Sequence, residues 1–235
     1  MKRIVIAIDG YAGCGKSTTA RRVARELNYT FIDSGAMYRA FTLLLIRRQV
    51  DPSERAEVLG LLETAHIRCQ YDPATQVNNT YLNGENVTDT LRIPQINDLV
   101  SEVAAIAEVR HALVAAQQQL GAQGGVVMDG RDIGTVVFPH AELKVFMKAS
   151  MDARVVRRKL EYAQKGGDYP AEEIEANLRH RDELDTTRKE GPLRKARDAR
   201  ELDTSYLTIE EQVDVVLHWA LEKMLIPVEK AETSA

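Results

Sequence analysis

Ile4-Val5-Ile6-Ala7-Ile8-Asp9-Gly10-Tyr11-Ala12-Gly13-Cys14-Gly15-Lys16-Ser17-Thr18 decides how the rest of the chain is read. A β-branched apolar run meets a glycine-rich loop, and the loop meets a helical pattern. Gly10, Gly15, Lys16 and Ser17 fill the four fixed positions of the phosphate-binding P-loop. Glycines let the backbone wind tightly, so that successive N–H groups converge on an anion. The start of the following helix adds partial positive charge. Lys16 supplies a mobile full charge for β/γ-phosphates, and Ser17 a hydroxyl for Mg²⁺. At ordinary glycine usage the pattern arises by chance in about one chain in a hundred of this length.

Working outward, residues 17–27 carry Ala20, Val23, Ala24 and Leu27 at helical spacing. Residues 29–33 form a second short strand, and Ser34-Gly35 opens a helix to about 48. Strand–helix–strand–helix predicts a parallel sheet. Residues 52–65 predict another amphipathic helix. Residues 66–92 change texture: strands flank Asn83-Gly84, the pair favoured in tight hairpin turns, which predicts a small antiparallel insert. Residues 96–120 predict two helices broken near Ile106-Ala107. Further strands are expected at 125–129, 143–147 and 199–202. Helices are expected from Met151 after a Ser150 cap, from Pro170 to about 187, and after a Thr208 cap. The tail from Pro227 is expected to fray.

The chain has 235 residues, 44% apolar and 28% charged, with a net charge of −4. That balance suits a globular α/β domain and offers no basic excess for nucleic acid. Two cysteines, Cys14 and Cys69, lie far apart, with no metal-type spacing and no disulfide framework. Met1-Lys2-Arg3 leads directly into a strand, and no apolar run approaches a membrane span. A cytoplasmic protein, without membrane or nucleic-acid partners, is the expectation. No strong exposed apolar seam is evident, so a monomer is expected.

Four further stretches can carry chemistry. Asp33-Ser34-Gly35-Ala36-Met37-Tyr38-Arg39 follows the second strand, at the ligand-binding edge of an open parallel sheet. There Ser34 offers a hydroxyl, and Arg39 stands about one helical turn on. Asp129-Gly130-Arg131-Asp132 follows the third parallel strand. Asp129 can hold Mg²⁺, directly or through water, and Arg131 can grip phosphate bidentately. Arg181, Asp185 and Arg188 fall at i, i+4 and i+7, on one helical face; an exposed ion-pair face is the plainer reading of that spacing alone. Arg154, Arg157, Arg158 and Lys159 form a basic patch, either a solvated face or an arm that closes on triphosphate. His66, His111, His140, His180 and His218 have no metal-pair spacing and are assigned no chemical role.

Over nearly its full length the chain resembles the bacterial cytidylate kinases, of the nucleoside monophosphate kinase family. The resemblance rests on the P-loop, on residues 33–39, on residues 129–139 (Asp-Gly-Arg-Asp-Ile-Gly-Thr-Val-Val-Phe-Pro) and on residues 181–188 (Arg-Asp-Glu-Leu-Asp-Thr-Thr-Arg). It implies that fold: a central parallel five-stranded sheet flanked by helices, with an antiparallel nucleotide-binding insert and a short lid. It implies one kinase domain with core 1–35, 93–150 and 188–235, an acceptor lobe at about 36–92 and a lid at about 151–187. The implied activity is transfer of the γ-phosphoryl of ATP to CMP or dCMP, with Mg²⁺. Gly10, Tyr11, Ala12, Gly13, Cys14, Gly15, Lys16, Ser17 and Thr18 would hold ATP, helped by Arg154, Arg157 and Arg158 from the lid. Ser101, Arg110 and Asp132 would contact the cytosine base. Ser34 belongs to the same acceptor site, where Arg39, Arg131 and Arg188 would hold the phosphate. Arg181 and Asp185 would lie near the sugar and the transferring phosphate. Ser17 and Asp129 remain the metal candidates, and Lys16, Arg131, Arg181, Asp185 and Arg188 the catalytic ones. The family's loop often has Gly-Thr where this chain has Ser17-Thr18, and a small residue where it has Cys14. From the residues alone, an acceptor such as UMP, AMP or shikimate stays open.

Overall fold

Apolar strands with both faces buried need helices on both sides, and the chain supplies them. The computed structural model describes residues 2–72, 77–164 and 166–225. In chain order come β1 (Val5–Gly10), α1 (Lys16–Leu27), β2 (Thr30–Asp33), α2 (Ser34–Arg48) and α3 (Arg55–Thr64). Then follow β3 (Ile67–Asp72), β4 (Val77–Leu82), β5 (Glu85–Asn86), a 3₁₀ turn (Thr88–Arg92), α4 (Pro94–Val103) and α5 (Ala107–Gly121). The chain continues through β6 (Val126–Gly130), a π-helical turn (Ile133–Val137), β7 (Leu143–Lys148), α6 (Met151–Ala163), α7 (Ala171–Thr187), β8 (Arg200–Asp203) and α8 (Ile209–Leu225).

The main sheet runs β2-β6-β1-β7-β8, every neighbouring pair parallel. Along β1 the side chains alternate. Ile6 and Ile8 pack with Ala20, Val23, Val213 and Val216 from α1 and α8. Ala7 packs on the other face with Ile32, Met128, Ile133 and Val137. A separate core joins α2 to the small sheet, α4 and α5 through Phe41, Leu45, Leu82, Leu91, Ile96 and Val109. The small sheet is antiparallel, β3-β4-β5. Its tight turn has Asn83 at φ 51° and Gly84 at φ 87°, as a primed turn demands.

Several boundaries move from the sequence reading. The helix expected from 52 starts at Arg55, because the Asp51 carboxylate draws the Ser53 amide and hydroxyl into a local turn at 2.8 and 2.6 Å. Nothing in the sequence pattern announces the turn Ile133–Val137. Arg188 lies just past α7, with ψ 145°, so it does not share that helix's face; its guanidinium instead donates to Gly191 O. The frayed tail expected from Pro227 lies outside the described residues. Among them, no helix is long and apolar enough to cross a membrane.

Parallel pairing brings the carboxyl ends of β1, β2 and β6 to one edge. Asp129 stands in register with both Ile8 and Asp33. Gly10, at φ 151°, closes the loop against β7: an added Cβ would lie 2.0 Å from Met147 O. Gly10→Ala must therefore displace strand backbone. We expect a loss of about 3 kcal/mol in urea unfolding; a change inside ~0.5 kcal/mol would contradict this packing.

Candidate active site

The loop after β1 wraps Lys16, which is buried and donates to Tyr11 O at 2.6 Å. Burial and the nearby Arg131 charge hold its ammonium below the usual lysine range. Ser17 Oγ donates to Asp129 Oδ2 at 2.7 Å across 112 residues of sequence. Asp129 Oδ1 is buried and has no hydrogen-bond partner. Burial, with Asp33 close by, pushes this carboxyl up to about 6. Among the described residues no three His, Cys, Asp or Glu side chains form a metal cage. One hydroxyl and one carboxylate oxygen with spare capacity do suit a hard divalent cation that brings phosphate and water ligands with it.

Guanidinium groups converge on the same edge. Arg39 from α2 and Arg181 from α7 each have a buried Nε without a partner. Burial lowers Arg39 to about 10 despite Asp33, whose carboxylate lies 3.9 Å away. Burial, then the Arg131 and Arg39 charges, lower Arg181 to about 9. Arg131 Nε donates to Asp185 Oδ2 at 2.7 Å, and Arg188 Nη1 lies 3.4 Å from Asp185 Oδ1. Asp185 thus bridges two arginines, one on each oxygen, and both line the same cavity. Ser34 is buried and donates to Asp129 O at 2.6 Å.

A polar pair closes the far end. Arg110 is 2% exposed, yet it projects from α5 into a charged contact with Asp132. Its other nitrogen donates to Ala104 O at 3.2 Å, and its guanidinium lies 5.6 Å over the Tyr38 ring. Arg188 Nη2 stands 3.8 Å from the second Asp132 oxygen. Ser101 from α4 is buried beside them.

One cavity of about 730 Å³ joins these groups. Lys16, Ser17, Thr18, Ala12, Gly13 and Gly15 line one end; Ser101, Arg110 and Asp132 line the other, with Ser34, Arg39, Asp129, Arg131, Arg181, Asp185 and Arg188 between. Its walls carry ten lysine or arginine residues against five aspartate or glutamate residues, in a chain whose net charge is −4. Burial of Arg181 and Asp185 overturns the exposed ion-pair reading of that stretch. Arg157 and Arg158 line the cavity as well. Arg154 does not: it sits behind the loop, over the Tyr11 ring, donating to Ala12 O at 3.3 Å and Asp182 at 2.5 Å. Gly10, Tyr11 and Cys14 shape the loop without lining the cavity. All five histidines are exposed, and none lines it.

The cytidylate kinase family model matches residues 6–222. The chain belongs to the cytidylate kinase family. A cytidylate kinase of Cytophaga hutchinsonii is 48% identical over 225 residues, covering 96% of each chain. One from Bacteroides fragilis is 49% identical over 215 residues, covering 90% of this chain and 94% of its own. The fold is also that of a gluconokinase from Sinorhizobium meliloti, with a TM-score of 0.50 at 15% identity over 95% of this chain and 97% of that one.

Within this cytidylate kinase family member, Arg92 and Gln212 line the cavity although no motif marks them. Arg92, from the 3₁₀ turn, bonds Asp33 Oδ2 at 3.0 Å and lies 3.7 Å from Glu161 of α6. No local pattern distinguishes it from any other surface arginine. Asp33 itself is a hub: burial alone would raise its pKa, but Arg92, Arg39, the Ala36 amide and Arg21 together hold it below the usual carboxylate range. Its place at a strand end was the available signal. Gln212 braces α1 from α8 by accepting from Thr19 at 2.8 Å.

A cavity with this surplus should bind a polyanion without any base attached. Tripolyphosphate at a hundred times its Kd should add about 2.7 kcal/mol of stability, weakening as salt rises. An unchanged melting temperature at millimolar tripolyphosphate would contradict the site.

Proposed function

We propose that the chain transfers the γ-phosphoryl group of ATP to CMP or dCMP, giving ADP and CDP or dCDP. One observation carries this reading: a single cavity runs from a phosphate loop, past arginines that keep unused donors, to a buried Arg110–Asp132 pair. The loop end suits a donor triphosphate. The arginines suit a second phosphate beside it, and the polar pair suits a base.

Phosphoryl transfer asks the protein for alignment and charge neutralisation more than for covalent chemistry. An oxygen of the acceptor phosphate attacks the γ-phosphorus. The bond from phosphorus to the β–γ bridging oxygen breaks, and its electron pair leaves with ADP. Loop amides and Lys16 hold the donor. Arg39, Arg131 and Arg188 hold the acceptor phosphate, while Arg181 and Asp185 stand at the sugar and the transferring group. Ser17 and Asp129 would hold the Mg²⁺ that accompanies ATP, which when bound neutralises charge on the β- and γ-oxygens. Asp129 Oδ1, buried and without a partner, supports that assignment.

We read residues 36–92 as the acceptor lobe and 151–187 as a lid on a core of 1–35, 93–150 and 188–235. Arg157 and Arg158 would reach the donor from the lid; Arg154 would act through the loop backbone it braces. The Cys14 thiol inside the loop suits a reducing cytoplasm, and a monomer completes this reading.

Base choice follows from donor and acceptor pattern. Asp132 can accept from the cytosine amino group, and Arg110 can donate to ring acceptors. Uracil would set a carbonyl against the Asp132 carboxylate. ADP release measured across nucleoside monophosphates with ATP and Mg²⁺ should give kcat/KM for UMP at least about a hundredfold below CMP. Comparable values for CMP and UMP would overturn the assignment.

A further inference from the structure

Asp9 precedes the first loop glycine, yet it does not line the cavity. Its side chain is buried and points into the protein's other strand-end loop. It accepts from the Ile133 and Gly134 amides, both at 2.7 Å and more than 120 residues away in sequence. Burial pushes this carboxyl up to about 7, while the two amides favour its charged form.

Those two amides open the π-helical turn Ile133–Val137. The residue just before them is Asp132. Its own carbonyl accepts from Val136 at 2.8 Å and from Val137 at 3.2 Å. Asp132 is thus a corner fixed from both sides. The turn holds its carbonyl, and Asp9 holds the next two amides. In that corner the Asp132 side chain meets Arg110 and stands 3.8 Å from Arg188. The clasp needs two acceptor oxygens at once, one per amide. It also leaves little room at Gly134, where an added Cβ would lie 3.3 Å from Asp9 Oδ2 and 3.1 Å from Lys144 Cδ.

We propose that Asp9 is a positioning residue for base selection: by clasping the Ile133 and Gly134 amides, it sets the corner from which Asp132 meets the acceptor's base. The proposal rests on the assignment of Asp132 to that base. Its distinctive consequence is that a residue adjoining the donor loop controls the acceptor.

The test uses the full chain and steady-state kinetics with varied CMP, UMP and ATP. Asp9→Asn keeps one acceptor oxygen and sets an NH₂ group against a backbone N–H. Losing a buried charge-assisted bond of this kind should raise KM for CMP about tenfold and lower the CMP-to-UMP ratio of kcat/KM by a similar factor, with KM for ATP within about twofold. An unchanged CMP KM, or equal rises for CMP and ATP, would overturn the proposal. Gly134→Ala presses on the same clasp with Asp9 intact. It decides the matter by the same criteria if Asp9→Asn does not fold. Asp132→Asn separates the two claims. If it leaves CMP KM and selectivity unchanged, the base assignment falls and this proposal with it. If it weakens CMP while Asp9→Asn does not, the Asp9 proposal alone falls. In the double variant, Asp9→Asn should add under about twofold to the Asp132→Asn effect; full additivity would show that Asp9 acts elsewhere.

Discussion

Ten basic side chains face five acidic ones across one cavity, and the rest of the architecture serves that imbalance. Buried charges normally come paired, because an unpaired ion loses its hydration without replacement. Here Arg131, Arg188, Arg110 and Arg92 have carboxylate partners. Among the described residues, Lys16 donates hydrogen bonds only to the loop's own Tyr11 carbonyl and Cys14 thiol. Arg39 and Arg181 each keep an unpartnered Nε. Positive groups held this way depress one another's pKa. The natural relief is an incoming anion rather than a further side chain.

The fold makes the imbalance possible by drawing on remote segments. Parallel strands deliver the ends of β1, β2 and β6 to one edge. Helices α2, α5 and α7 then aim Arg39, Arg110 and Arg181 at that edge from three directions. The carboxylates act as bridges between like charges: Asp185 links Arg131 to Arg188, and Asp33 links Arg39 to Arg92. Backbone geometry is equally committed, with Gly10 seated against Met147 O and Gly15 capping α1 in a left-handed conformation. Function here works against local stability, as is common where a site must stay charged and open.

What the sequence made legible was what is local. The P-loop, the Asp33–Arg39 stretch and the Asp129–Asp132 stretch each bring their groups together within one strand–loop unit, so spacing alone reveals them. The five-stranded parallel sheet follows from the same units, and the hairpin from its Asn-Gly turn. Ser101 and Arg110 lie on helices with no local signature; only resemblance to a family pointed to them. Arg154 shares a basic run with Arg157 and Arg158, yet helix packing turns it behind the loop toward Tyr11 and Asp182. Asp9 has no fixed place in the P-loop pattern. Its signal was there to find: a lone acid at the end of an otherwise apolar, buried strand needs a partner from elsewhere in the chain.

The central claim is that guanidinium and ammonium groups with unused donors, in a cavity where basic groups outnumber acidic ones, make phosphate the principal handle on the acceptor. Calorimetric titration of the protein with CMP and with cytidine, at low and high salt, tests it most directly. Cytidine forgoes at least two charge-assisted hydrogen bonds that the phosphate of CMP would make, so it should bind at least about a hundredfold more weakly than CMP, with the gap narrowing as salt rises. Equal affinity for the nucleoside and the nucleotide would contradict the account.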